Sequence, residues 1–307
     1  MRLKPGVMVL LREPGHVQIG LSPPLGLPGL TREESAFLAA LEGRRVAISS
    51  AERQRFDCLL SMLDHHGLLE RDRPEPNLAG ALVRVRGADA IMAAVAAGLA
   101  KAGLGALSPI DRTLLPDGGS FGTGAAGLTG GQAMARAFRD SNPGVRLASP
   151  EERATLELLG AHGAADLATQ RRLTALDVPH LSIVTDEAGV DIGPLVVPGV
   201  TACETCLGIA RTERDPWWPR IALQLGDTRR RAALVVPPDV ALVAAGLALR
   251  EALRFLGGDS PSGVTWRVGF DRSFPTPTVH SPHPDCGCGA AGPQRESAAV
   301  GVPVTEG

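Results

Sequence analysis

The chain reads as an α/β protein, with a doubly wound, mostly parallel Rossmann-like sheet preceded by a small winged-helix-like α+β domain. Three observations predict this. Residues 1–72 run as three short strands and then helices. From Ala79 onward, strand and helix patterns alternate. The 307 residues suffice for two domains, one with a full α/β core. The expected boundaries are 1–76 for the small domain and 77–289 for the large one. Residues 290–307 form a small, polar tail expected to be disordered.

In the small domain, Val7–Leu11 and Val17–Leu21 alternate as strands around the turn signal Pro14-Gly15. Leu25–Leu30 reads as a third strand, which Pro28 confines to an edge or a bulge. Thr31 and Glu34 make a capping box for a helix over Arg32–Leu41, ended by Gly43. A second helical stretch begins at Ser49 or Ser50 and places Phe56, Leu59, Leu60 and Leu63 on one face. Arg71–Asn77 is a charged, Pro-containing linker.

In the large domain, Ala81–Val85 is an apolar strand, Ala90–Ala102 a small-residue helix and Leu104–Ile110 the next strand. Gly118–Gly131 is a Gly-rich connection expected to be mobile, and Gln132–Arg139 a helix stopped before Asn142-Pro143-Gly144. Strands follow at Arg146–Ala148 and Leu156–Leu159, and a helix at Leu167–Leu176. His180–Asp186 and Val190–Val197 form a strand pair. The long amphipathic helix Val240–Leu256 precedes strands near Val264–Phe270 and Thr276–His280.

Composition excludes several classes. A net charge of −2 gives no electrostatic case for nucleic acid or an anionic membrane. The small domain is close to neutral and its late helix carries Asp57 and Asp64, so the winged-helix pattern is not read as DNA binding. The apolar stretches Ala88–Leu107 and Ala232–Leu249 are interrupted by Asp89, Lys101, Pro237, Pro238 and Asp239, and read as buried elements. No apolar signal core follows Met1, so a reducing cytoplasm is expected.

Two cysteine knuckles, Cys203-x-x-Cys206 and Cys286-x-Cys288, carry the strongest chemical signal. Two thiolate pairs can meet at one tetrahedral Zn²⁺, a structural ion joining a late loop to the C-terminal region. Unligated thiols are an alternative, as are two disulfides, although a CxC ring is strained and the chain does not read as secreted. The fifth cysteine, Cys58, lies on the small domain's late helix. His283, beside the second knuckle, is read as a thiolate hydrogen-bond partner, a replacement ligand or a surface residue. His65-His66 reads as a helix C-terminal dipole contact, and Arg229-Arg230-Arg231 as a solvated turn. Trp217-Trp218, between two prolines, suits a partner anchor or packing on the metal-bearing lobe.

The strand, turn and helix over 81–102, with Asp111 downstream, form the framework of a nucleotide cradle. Such a turn wants three glycines. The run Gly87-Ala88-Asp89-Ala90-Ile91-Met92 keeps only the first. Asp89 sets a carboxylate where phosphate oxygens would lie, and Met92 fills a position that calls for glycine. The reading is a structural turn without a ligand.

The run Pro179-His180-Leu181, Gly193-Pro194-Leu195-Val196-Val197-Pro198-Gly199 and Cys203-x-x-Cys206-Leu207 resembles the ThiF/MoeB superfamily of ubiquitin-activating-like adenylyltransferases. Arg211-Thr212-Glu213-Arg214-Asp215-Pro216-Trp217-Trp218-Pro219 and His283-Pro284-x-Cys286-Gly287-Cys288-Gly289 resemble, more narrowly, the ocin-ThiF-like proteins. These bind precursor leader peptides as partners of YcaO cyclodehydratases in thiazole/oxazole-modified peptide (TOMM) biosynthesis. The superfamily's catalytic pattern does not carry over. Residues 113–135 hold no Arg or Lys, no lysine opens the helix after Gly131, and Asp166 is the carboxylate nearest the magnesium position. The resemblance therefore implies a non-catalytic relative, not an enzyme. The alternative is an active ATP-dependent adenylyltransferase acting on a peptide carboxylate. Adenylyltransferase relatives tend to be dimers, so the resemblance makes a homodimer possible and leaves the oligomeric state open.

Residues 1–72 resemble the PqqD-like RiPP recognition element, which takes a leader peptide beside its third strand and third helix. The resemblance points to Leu25, Gly26, Leu27, Gly29, Leu30, Leu59, Met62, Leu63 and His66 as leader-binding residues. The physics is addition of a strand to an exposed sheet edge.

Overall fold

The computed structural model describes residues 1–70, 78–225 and 235–292. The linker Arg71–Asn77, the turn Arg229-Arg230-Arg231 and the tail beyond Gly292 lie outside the described residues. The chain divides into two compact units, Met1–Pro74 and Glu75–Gly307.

The first unit runs β1 (Val9–Glu13), β2 (His16–Ile19), β3 (Leu25–Leu27), α1 (Arg32–Leu41), α2 (Ser50–Arg55) and α3 (Asp57–His65). The strands form an antiparallel sheet in the order β1-β2-β3. The Thr31/Glu34 capping box is present, and a second one, Ser49 with Glu52, opens α2. The helical stretch after Ser49 breaks at Phe56, whose φ and ψ of −104° and 19° separate α2 from α3. The third strand ends at Leu27 instead of reaching Leu30. Pro28 has no N–H for a ladder, and Gly29 turns with φ +75°. Phe56, Leu59, Leu60 and Leu63 all face the core, with Ile19, Leu38 and Leu41.

The second unit continues with β4 (Leu82–Arg86), α4 (Ala90–Lys101), β5 (Ala106–Ile110), α5 (Gly130–Ser141), β6 (Arg146–Leu147), β7 (Leu156–His162) and α6 (Leu167–Ala175). Then come β8 (His180–Thr185), β9 (Gly189–Val196), α7 (Glu204–Arg214), α8 (Trp218–Leu225), α9 (Pro238–Leu256), β10 (Val264–Gly269) and β11 (Thr276–Val279). Eight strands form one sheet in the order β11-β10-β9-β8-β7-β4-β5-β6. β6, β5, β4, β7 and β8 are mutually parallel, and β9, β10 and β11 add antiparallel at one edge. The predicted doubly wound, mainly parallel sheet with a small preceding domain is the fold observed.

Strand alternation assigns the two faces. Val83, Val85 and Leu158 join the main core with α4, α5 and α9, while Leu159 packs with Leu173 of α6 on the other side. α4 contributes Ile91, Met92, Val95 and Leu99, all fully buried, each stabilising by roughly 1.5–3 kcal/mol. The Gly-rich connection is more structured than expected. Leu114 bridges Thr129, two 3₁₀ turns cover Gly119–Phe121 and Thr123–Ala125, and a Thr129/Gln132 capping box starts α5 at Gly130.

Position 84 departs from the apolar strand expected there. Arg84 is buried on β4 opposite Glu157 of β7, which is 1% exposed, with Nη1 to Oε1 at 2.5 Å. Arg86 holds the other carboxylate oxygen at 2.8 Å, and Arg84 also donates to the Glu152 carbonyl. A buried carboxylate between two guanidiniums is tolerable only because every oxygen is bonded.

Candidate functional site

The four knuckle cysteines meet. Cys203 is the extended N-cap residue just before α7, so Cys206 lies in the first turn of the helix. Thr201 pins the approach, accepting from the Val197 amide at 2.8 Å and donating to the Leu195 carbonyl at 3.1 Å. The second knuckle turns back through Cys286 N–H to the His283 carbonyl at 3.0 Å. The sulfurs of Cys203 and Cys206 lie 3.8 Å apart, Cys203 and Cys286 3.6 Å, and Cys206 and Cys288 3.6 Å. A tetrahedron with metal–sulfur bonds of about 2.3 Å has edges of about 3.8 Å. All four thiols are free, and a disulfide needs about 2.05 Å. The set is therefore close enough to hold one metal ion.

Burial pushes the Cys203 and Cys286 thiols up. At Cys206 burial acts the same way, but the backbone amides of His283 and Cys203 lead the hydrogen bonds that bring it down. A cation between the sulfurs would favour all four as thiolates. The imidazole of His283 takes no part: Nε2 faces Glu213 at 3.1 Å and Nδ1 accepts from the Asp285 amide at 3.1 Å. The expectation of a ring–thiolate contact or a replacement ligand is thereby corrected, because both ring nitrogens are engaged elsewhere. Cys58 is exposed and belongs to the first unit.

The cradle-like turn is also assembled. Gly87 has φ +103°, a conformation that favours glycine. Asp89 caps α4, its Oδ1 accepting the Met92 amide at 2.9 Å. The fully buried Met92 side chain packs toward Gly160, where an added Cβ would meet its Cγ at 3.4 Å. Asp111 Oδ1 accepts from Thr113 N–H at 2.7 Å. Arg136, just past the Gly-rich connection, donates to the Gly124 carbonyl at 3.0 Å. Asp166 caps α6 through the Ala168 and Thr169 amides, both at 3.1 Å.

Of the nine residues assigned to leader binding, Leu27, Leu59 and Leu63 are buried in the first unit's core. Leu25, Leu30 and Met62 are half-buried against it, and Gly26, Gly29 and His66 are exposed. Among the described residues, β3 has one unpaired edge.

The sequence reading missed a cavity of about 570 Å³ lined by α7, α8, β9, β10 and the turns around them. Glu204 lines it, and burial pushes its carboxyl up to about 7, opposed by the Arg211 charge and the Ser182 hydroxyl. The detectable signal was Glu204, Leu207, Arg211 and Arg214 at helical spacing directly after the first knuckle.

No family model matches the chain, and no curated protein matches it. Solved structures do. E. coli MccB with succinimide superposes with a TM-score of 0.67 at 16% identity, covering 94% of this chain and 98% of that one. E. coli MccB with ATP gives 0.65 at 14%, with coverage of 94% and 98%. Microcin C7 biosynthetic enzyme MccB in complex with N-formylated MccA gives 0.63 at 16%, with 94% and 99%. At these identities the likeness is one of fold, a ThiF/MoeB-like fold with a small preceding domain. Among the described residues no helix is long and apolar enough to cross a membrane.

Proposed function

We propose that this chain is a non-catalytic, cytoplasmic partner that binds the leader of a ribosomal precursor peptide and presents the peptide to a YcaO-type azoline-forming cyclodehydratase. The observation that carries the reading is the Asp89 carboxylate on the Met92 amide. A helix N-terminus that receives phosphate needs free N–H groups and no opposing charge. Here the helix supplies its own anion, and a buried methionine fills the space beside it. The other groups adenylation would need are engaged as well, Arg136 by a carbonyl and Asp166 by a helix cap.

Leader capture falls to the first unit. Gly20 N–H bonds Met8 O across the β1 side, so by antiparallel alternation Gly26 turns its N–H and C=O outward from β3. A leader strand would bond there, with Leu25, Leu30 and Met62 offering apolar surface. Holding the leader raises the effective concentration of the core peptide at the partner enzyme. The four cysteines would hold a structural Zn²⁺, which fixes α7 to the 283–289 turn and supplies no reactive group.

Calorimetry with the cognate leader checks this: binding in the nanomolar-to-micromolar range without ATP is expected, and no binding rejects the reading. The second reading, an active adenylyltransferase, draws support from the structural likeness to MccB with ATP. Robust pyrophosphate exchange driven by the precursor would establish it in place of the first.

A further inference from the structure

The cavity beside α7 has two dissimilar walls. Trp218, Ile221 and Leu225 make an apolar wall at helical spacing along α8. The cavity is also lined by Thr265 of β10 and by His280, just past β11, joined through Oγ1 and Nε2 at 3.0 Å. Its volume falls in the range of ligand pockets.

The charges in it are answered unequally. Asp186 receives both terminal nitrogens of Arg267, at 2.6 and 2.8 Å, and Asp191 lies 3.2 Å from the same guanidinium. Glu204 is buried and bonded to Ser182, and Glu187 is exposed at the rim. Arg211 and Arg214 have no such partner. Arg211 lies over the Trp218 ring at 5.0 Å, and Arg214 Nε donates to the Ala210 carbonyl at 3.1 Å. Among the described residues no carboxylate reaches ion-pair distance of either. The acidic residues beside them are turned elsewhere, Glu213 to His283 and Asp215 to the Trp217 amide. Burial leads in lowering the His280 pKa, and the Arg211 and Arg214 charges act the same way against the opposing pull of Asp191.

A guanidinium stacked on an indole keeps its in-plane N–H groups for a planar anion. We propose that this cavity is a second peptide subsite, taking a segment in which a carboxylate adjoins an apolar side chain. Arg211 and Arg214 receive the carboxylate, and the Trp218, Ile221 and Leu225 wall receives the apolar group. The carboxylate is an acidic side chain or a free peptide C-terminus. The proposal rests on the peptide-binding reading only for the class of ligand, since leader capture belongs to the other unit.

The test is calorimetry on the full chain with three probes: N-acetyl-Glu-Leu-amide, N-acetyl-Gln-Leu with a free carboxyl, and N-acetyl-Gln-Leu-amide. At least one carboxylate probe should bind tenfold or more tighter than the neutral amide. Which one does distinguishes a side-chain from a terminal carboxylate. Arg211→Gln should erase that preference, and Arg220→Gln, which removes a charge over Trp217 outside the cavity, should leave it. Absence of binding by all three, equal binding of the neutral amide, or a preference surviving Arg211→Gln overturns the proposal. Circular dichroism and melting of Arg211→Gln check its fold, and Arg211→Lys, retaining the charge, should keep part of the preference. Met62→Glu should lose the leader and keep the acidic-probe preference. A protein that shows that preference but never binds leader refutes leader capture alone.

Discussion

α4 and α7 both begin beside the end of a sheet strand, and both set potential ligand-binding groups in the first turn. They end in opposite states. At α4 the protein satisfies itself: Asp89 caps the Met92 amide and Met92 fills the neighbouring space. At α7 four sulfurs gather within 4.8 Å of one another, three of their separations at 3.6 to 3.8 Å, close enough to hold one ion. What separates the two helices is whether the polar groups find partners inside the chain, so partner accounting locates function better than the fold does.

The comparison can be broken most sharply at the metal centre. Cys286→Ser should lose bound metal and much of a linked folding energy on the order of 10 kcal/mol. Elemental analysis of the wild type should find about one ion per chain. Equal melting temperatures for wild type and variant would deny α7 its dependence on an ion. Glu157→Gln comes next. It leaves Arg84 buried without its anion and should cost about 3–5 kcal/mol in urea unfolding, far more than a surface pair. Asp89→Ala should cost about 1 kcal/mol through loss of the cap, with no ATP binding gained. If ATP then bound, the carboxylate alone would have been what closed α4.

The smallest effect concerns acid. Burial works against the Asp186 carboxylate, yet Arg267 and the Ala188 and Gly189 amides outweigh it and hold its pKa below the usual 3.8. Such a group contributes stability above the unfolded-state pKa and loses it as pH falls through the lower folded value. Asp186→Asn should flatten the acid limb of the stability–pH curve below about pH 4 and leave neutral metal content unchanged.

Much of the fold was legible. The Thr31/Glu34 capping box, the glycine turns and the strand–helix alternation are local signals, and each produced its element within a few residues. The cysteine knuckles were legible because metal-ligand spacing is itself a local pattern. Less visible were α7 and α8: Pro216 and Pro219 flank Trp217-Trp218 and read as chain breaks, which masks the helical spacing of Trp218, Ile221 and Leu225. Arg84 was hidden for a different reason. On a strand a charged residue reads as solvent-facing until its cross-strand neighbour is known, and Glu157 lies far along the chain.

The amino-acid sequence by itself determined the alternation of strand and helix, the sulfur ligand set and the loss of the glycines a phosphate cradle needs. Those features depend on residue type and short spacing. Only the tertiary structure decided which carboxylates are answered by cations and which arginines are left without one. That balance is set by through-space distance and burial between residues remote in the chain, and no sequence window contains it.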